Sequence, residues 1–575
     1  MIANWIADYP DLPDVWGEGA IFAFSGMDGQ TNVVSEFVAT YWREPYGLLF
    51  HTPRRRILDI ALRTRGKVRV ATGDVYAVET NVGDLVVAYS AWHTIIGTMP
   101  AAAKMTLLME TGGEAEYRDP VWVSDDPEHG DVLAGLQERT RFALAYGTTL
   151  DEARERAIEG LAQDVDKVVA ARLAPYVALP DLGDPVRNRL LRKAFSVMRV
   201  NSLAPEGAIA RHWSTPDRVP HKHMWLWDTV FHTLAMNRLR PELSWEWLGA
   251  MLEVQRADGM IPHMNTVAGR GSRITQPPIL AWGVWESYLA LPDKDHLREA
   301  LPRLEAYLTW DAGHRDTNGN GLLEWFIEGD VRSRSGESGL DNSPRFDGAI
   351  LLDAVDFSVF AARDMACVAR IARELGDTDK AASWDGRARD MSARIHEYLW
   401  NADDRFYYDR DVEGGWSRVR AVTGFLPLLL GDLPAERVAP LVDALRDPRH
   451  FGTAFPVPSV AASHPGHSTD MWRGATWLNL NYLVHLGLRM HGRGEDARWL
   501  AERSLAYVSK YYQQYGVLFE FFDSADRRPP VACDRKGPHV EPYDLRRKMD
   551  SIRDYHWTAA ITVVLLLEGY GLADV

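Results

Sequence analysis

Cysteine is nearly absent from this 575-residue chain, with only Cys367 and Cys533. Two thiols are too few for a disulfide framework or a thiolate metal cage, and neither sits in a catalytic context. Long apolar runs are missing too: no segment approaches the ~18 residues of a membrane span. The opening stretch from Met1 to Pro10 has no basic region followed by an apolar run, so the expectation is a cytoplasmic protein without a secretory signal. Excess positive charge is the third absence. With 80 acidic against 64 basic residues the net charge is −16, which argues against a nucleic-acid partner, because phosphate binding needs a basic surface.

What is present is a globular composition, 46% hydrophobic and 25% charged, in a chain long enough for at least two domains. Tryptophan is abundant: 21 residues, many beside acids, amides or arginine. Indole faces stack on the C–H faces of sugars, and the ring N–H serves a hydroxyl.

The hydrophobic period changes along the chain. Lys67–Val70 and Arg141–Tyr146 alternate as half-buried strands do, and Val86–Tyr89 and Thr106–Met109 are short apolar runs. Residues 1–150 are therefore expected to form a β-sandwich. Thr149 and Glu152 fit a capping box opening a helix to about Ala170, and residues 151–184 are expected to be a linker helix and linker. From Asp184-Pro185, an N-cap with proline at the first helical position, helical periodicity takes over through 185–575. The clearest case runs from Asp356 to Leu375, with Gly376 as its stop.

The polar motifs fall in the loops of this helical part. Gly336 to Asp347 crowds Glu337, Asp341, Asn342, Arg345 and Asp347 into a segment whose turn residues exclude a helix interior. Trp225-Leu226-Trp227-Asp228 pairs aromatics with a carboxylate at a helix mouth, suited to stacking a sugar and accepting from its hydroxyls. Glu520 stands between Phe519 and Phe521, a setting that favours acid–base work by desolvation. Asp316, Asn318 and Asn320 place oxygens two apart around Gly319, as a calcium loop begins, although the twelfth position is Ile327 and not Glu. A structural Ca2+ is the expectation; catalysis is expected to need no cofactor. His221 and His223 lack a nearby carboxylate or cysteine that would complete a metal set.

Taken in order, these motifs resemble glycoside hydrolase family 63 and its relatives, α-glucosidases built on an (α/α)6 barrel. The likeness runs from about residue 185 to 570. It rests on Trp225 to Asp228, Thr275-Gln276-Pro277-Pro278, Glu337 to Asp347, Met471 to Asn479, Phe519 to Asp523, and His556 to Ala560. It implies a fold of an N-terminal β-sandwich followed by an all-α (α/α)6 barrel. It further implies Asp341 as general acid, Glu520 as general base, and Trp225, Trp227, Asp228, Gln276, Arg345, Arg473 and Trp477 about the sugar subsite. Phe346 and Ala475 depart from the family's common Trp and Pro. The family inverts, so the implied activity is an inverting, exo-acting α-glucosidase on a small α-glucoside, a disaccharide or a glucosylglycerate-like compound. In that mechanism the two carboxyls lie ~6.5–9.5 Å apart. The rivals are a trehalase, a sugar epimerase using His221, His223 or His467, and a non-catalytic carbohydrate-binding protein. Arg270, Arg273, Arg332 and Arg334 flank the site loops and are candidates to meet an acidic aglycone.

Overall fold

The computed structural model describes residues 2–42, 47–62, 64–110, 112–330, 332–348, 351–539 and 550–569. After a short helix α1 (Ile2–Asp8), the N-terminal part is β-rich. Its strands between Ile21 and Gly147 form a five-stranded and an eight-stranded sheet, and every strand pair is antiparallel. All four expected strands are present, as Gly66–Ala71, Leu85–Ala91, Lys104–Met109 and Arg141–Gly147.

Alternation explains how the larger sheet is covered on both faces. Tyr76, Val78, Val87 and Tyr89 point to one side, where they merge with Phe22, Leu48, Phe50 and Leu58 of the smaller sheet in one apolar cluster. Val75, Ala77, Val86 and Ala88 point to the other, into a cluster shared with helical residues such as Val169, Leu173 and Leu190. A strand buried on both faces reads as an unbroken apolar run, as Val86 to Tyr89 does.

The segment 151–184 differs from expectation. It forms two helices, α2 (Leu150–Ala162) and α3 (Val165–Leu173). Asp164 splits them by capping the second, accepting from the N–H groups of Asp166 and Lys167. Nor are they a linker: Ala153 and Ala157 of α2 pack on Val121, Val132 and Ala145 of the eight-stranded sheet, and α3 lies against the same sheet. The stretch is a cover of the sheet because its small and branched apolar residues have that surface to bury against.

Beyond it the chain is helical: α4 (Pro185–Val200), α5 (Leu226–Leu239), α6 (Pro241–Glu253), α7 (Leu280–Ala290), α8 (Lys294–His314), α9 (Val355–Glu374), α10 (Thr378–Tyr398), α11 (Ala435–Arg446), α12 (Leu478–Met490), α13 (Gly494–Tyr515) and α14 (His556–Gly569), with a 3-10 segment Val422–Leu429. Asp184 caps α4 as its sequence predicts, and Gly376 closes α9 with a left-handed φ of 87°. Neighbour contacts run α5 to α7 to α9 to the 3-10 segment to α12 to α14 and back to α5, a closed circuit of six inner segments. The five helices of the circuit begin at or just after the motif loops, so these loops gather at one end of it. Among the described residues no helix is long and apolar enough to cross a membrane.

The two parts share a buried junction. Asp554 accepts from the main-chain N–H of Ile21 in the first strand (2.9 Å) and of Leu518 (3.1 Å), and pairs with Lys193 Nζ of α4 (2.8 Å).

Candidate active site

The loops at the N-terminal ends of the inner segments enclose a cavity of about 290 Å3. Trp225, Trp227, Asp228, Gln276, Asp341, Trp477 and Glu520 all line it, joined by His221, His263, Glu328, Trp472, Arg535, Lys536, Tyr555 and Trp557. Residues far apart in sequence thus meet because each inner helix delivers its preceding loop to the same end.

The wall is aromatic. Trp472 and Trp477 stack at 3.7 Å with an interplanar angle of 7°, and Trp557 meets Trp477 and Trp227 edge-on at 5.5 and 5.7 Å. Trp227 is locked further by Phe231 at 5.7 Å, the i,i+4 contact that its place on α5 dictates. Gln276 accepts from the Trp227 N–H (3.1 Å). Gly339 lies so close that a Cβ there would come within 2.5 Å of the Trp227 ring.

Four carboxyl groups line this cavity, those of Asp228, Glu328, Asp341 and Glu520, and three of them stand in clearly different surroundings. Glu520 is buried, yet not alone among aromatics: Arg535 grips both its oxygens, Nε to Oε2 at 2.8 Å and Nη2 to Oε1 at 3.0 Å. Ile552 brackets it from the main chain, its carbonyl accepting from the Glu520 N–H at 2.8 Å. Asp341 lies in the polar loop, paired with Lys536 Nζ at 2.6 Å. Asp228, buried in the first turn of α5, has an Oδ1 with no hydrogen-bond partner. Burial, reinforced by the charges of Glu520, Asp217 and Asp341, pushes its carboxyl well above the usual carboxylate range. Burial also holds His263 down to about 4, so this wall residue is a neutral imidazole at neutral pH. His221 is oriented by Asp217, Nδ1 to Oδ2 at 2.6 Å.

Two arginines expected at the sugar subsite brace the loop instead of lining the cavity. Arg345 is fully buried and forks between Asp356 (2.7 and 2.8 Å) and Asp409 (2.6 and 3.0 Å), tying the Asp341 loop to the start of α9. Arg473 reaches Asp347 (2.8 and 2.6 Å) and the Asn342 carbonyl (3.0 Å). Glu337 is likewise scaffold: it binds Arg315 and accepts from the main-chain N–H of Thr275 and Phe326, which holds the Gln276 loop against the Asp341 loop. The four arginines proposed to meet an aglycone are all off the cavity wall, with Arg270 and Arg273 exposed. The basic residues that line it are Arg535 and Lys536. The adjacent basic pair before Gly537 was the sequence signal, and Trp472 and Trp557 lay inside motifs already noted.

The Asp316 loop is separate from the cavity. Asn318 and Asn320 donate their side-chain amides to Asp353 (3.2 and 2.8 Å), while their oxygens accept from the N–H groups of Asn320 and Leu322. The amide oxygens are therefore occupied. Asp316 Oδ1 and the buried Glu324 Oε1 remain without hydrogen-bond partners, and carboxylate oxygens are the ligand type a hard cation takes. Among the described residues no cluster of three or more His, Cys, Asp or Glu forms a metal cage.

Comparison with known proteins agrees with the geometry. Residues 221–558 match the model of the mannosylglycerate hydrolase MGH1-like glycoside hydrolase domain. An uncharacterized protein of Borreliella burgdorferi is 28% identical over 278 residues, 46% of this chain and 54% of that protein. A mannosylglycerate hydrolase of Thermus thermophilus is 27% identical over 55% of this chain and 92% of its own length. A glucosylglycerate hydrolase of Mycolicibacterium hassiacum is 24% identical over 51% and 87%. In structure, the family 63 mannosylglycerate hydrolase of Thermus thermophilus in complex with glucose covers 65% of this chain and 99% of its own, with a TM-score of 0.51 and 24% identity. A bacterial glucoamylase covers 98% and 96% at a TM-score of 0.54 and 12% identity, a likeness of fold that takes in the β-rich part as well. Because the family model spans more than half of the chain and contains every residue of the cavity wall, this chain belongs to the MGH1-like glycoside hydrolases of glycoside hydrolase family 63.

Proposed function

We propose that the protein is an inverting, exo-acting α-glycosidase that hydrolyses a small glycosylglycerate, with glucose as the favoured sugar. One observation carries this reading: Asp341 and Glu520 reach a single tryptophan-walled cavity from loops far apart in the sequence. Asp341 is the general acid that protonates the leaving oxygen, and Glu520 is the general base that draws a proton from water on the opposite sugar face. Arg535 fixes the plane of the Glu520 carboxylate; Oε2 also accepts from the Ile552 N–H at 3.4 Å, and Oε1, which accepts from Arg535 alone, keeps a lone pair for that water. The indoles exclude bulk water and stack the sugar ring, while Asp228, on the cavity wall, binds a sugar hydroxyl. The glycerate aglycone is favoured because the mannosylglycerate and glucosylglycerate hydrolases match this chain over most of their own lengths.

The fold is read as an N-terminal β-sandwich, with α2 and α3 as its cover, followed by an (α/α)6 barrel. The closed circuit of inner segments supports the barrel. A structural Ca2+ at Asp316 and Glu324 is part of this reading and takes no part in the chemistry.

The test is hydrolysis of a panel: glucosylglycerate, mannosylglycerate, trehalose, kojibiose and nigerose. Asp341→Asn and Glu520→Gln should each lower kcat about 10²–10⁴-fold with the fold retained. Early product NMR should show the β-anomer of the released sugar first. An inert panel would refute the glycosidase reading, and an α-anomer first would refute inversion.

A further inference from the structure

The cations that line the cavity, among the described residues, are Arg535 and Lys536, and they differ in freedom. Arg535 is 4% exposed and holds Glu520 with two hydrogen bonds. The Lys536 side chain is 30% exposed, and its ammonium has two partners: Asp341 Oδ2 at 2.6 Å and Ser333 Oγ at 3.3 Å. An ammonium carries three donors, so one of them is left for a further acceptor, and Lys536 is on the cavity wall.

The backbone beneath Lys536 is fixed more firmly than its partly exposed tip. Lys536 sits in the left-handed region at φ 52°, a conformation that persists in a non-glycine residue only where surrounding bonds enforce it. Asp470 enforces it, accepting from the Lys536 N–H (2.6 Å) and the Gly537 N–H (3.2 Å). The same carboxylate accepts from Asn342 Nδ2 (3.0 Å), the neighbour of Asp341. One aspartate thus clamps the lysine loop to the acid loop, and four side-chain torsions are left to move the ammonium.

The cavity is otherwise hostile to an anion. Asp228, Glu328, Asp341 and Glu520 line it, and Arg535 is already engaged. A substrate carboxylate therefore has one cation on the wall to turn to. Asp341 has the converse problem, because an acid must be clear of a salt-bridged ammonium before it donates a proton.

We propose that Lys536 is the receptor for the substrate's aglycone carboxylate, and that its move from Asp341 to that carboxylate frees Asp341 to act as the acid. Asp341 takes up a proton from solvent as the ammonium leaves and passes it to the glycosidic oxygen as the bond from that oxygen to the anomeric carbon breaks, while water adds to the anomeric carbon and gives its proton to Glu520. This inference rests on the glycosylglycerate reading above. It makes the acidic aglycone part of the catalytic switch as well as a handle for binding.

The experiment compares glucosylglycerate with glucosylglycerol, in which a hydroxymethyl group replaces the carboxylate. In the wild type the ratio of kcat/KM, acid over neutral, should be large. In Lys536→Met that ratio should fall by about 10- to 100-fold, the range of a charge-assisted hydrogen bond, and Lys536→Arg should keep most of it. D-glycerate should also inhibit the wild type far better than glycerol does, a measurement that needs no variant. Wild-type hydrolysis with an unchanged ratio in Lys536→Met, or equal inhibition by glycerate and glycerol, would overturn the role of Lys536 and leave the glycosidase standing. Failure of the wild type to cleave either glucoside would instead remove the reading on which the proposal rests.

Discussion

Asp554→Asn tests whether the β-rich part is needed to hold the base. The Asp554 carboxylate is 2% exposed; its Oδ1 accepts from Leu518 N–H and Lys193 Nζ, and its Oδ2 from Ile21 N–H. Asparagine keeps one acceptor oxygen and presents an amide donor to a donor on the other side. The residue's φ of 50° is tolerated by asparagine as by aspartate, so the backbone adds no penalty. What is lost is a buried ion pair broken from one side, about 3–5 kcal/mol, including a buried N–H left unpaired. At about 2 °C per kcal/mol, the low end of the range because the shift shrinks with chain size, the apparent Tm should fall on the order of 6–10 °C. Catalysis should fall too, because Tyr555 N–H donates to the Leu518 carbonyl and Ile552 brackets Glu520, which places Asp554 in the segment that holds the base. The assay is thermal unfolding with kcat measured well below Tm, in the single variants and in Lys193→Met with Asp554→Asn. Removing both partners should recover part of the loss, since the buried ammonium no longer lacks a counterion. A double variant that loses as much as the two singles together would refute the reasoning, and so would an Asp554→Asn protein with wild-type Tm.

Gly339→Ala should cost about 2–4 kcal/mol, from a left-handed φ of 72° and a Cβ pressed on Trp227, seen as a lower Tm and a raised KM; wild-type values would show that the indole can shift. Acid should destabilise the protein through the stacked pair His232 and His556, 3.6 Å apart. Burial lowers both, His556 to about 3, so their stabilisation is full above the unfolded value of ~6.5 and is lost as pH falls toward 3, at up to ~1.4 kcal/mol per unit for each. In His556→Gln the plot of Tm against pH should be shallower between 6.5 and 4, and parallel curves would count against it. Chelation should lower Tm and added Ca2+ restore it, whereas an unmoved Tm with no metal by elemental analysis would remove the Asp316 site.

The sequence by itself determined the order of the parts and most of the chemistry. Period-2 alternation marked the strands, because a side chain's face in a sheet is fixed by position along the strand. Asp184-Pro185 and Gly376 marked the ends of helices, because capping is decided within a few residues. The motif loops gave Trp225, Trp227, Asp228, Gln276, Asp341, Trp477 and Glu520, all of which reach the cavity. Only the tertiary structure decided how the charges pair. Arg345 reads like a ligand-binding arginine beside Asp341 and Asp347, yet it is buried between Asp356 and Asp409. Glu520 reads as a carboxylate among phenylalanines and carries Arg535; Lys536, in no motif, lies on Asp341. Local spacing cannot reveal such pairings, because Coulomb attraction acts through space and its partners are chosen by which loops the ring of helices brings together.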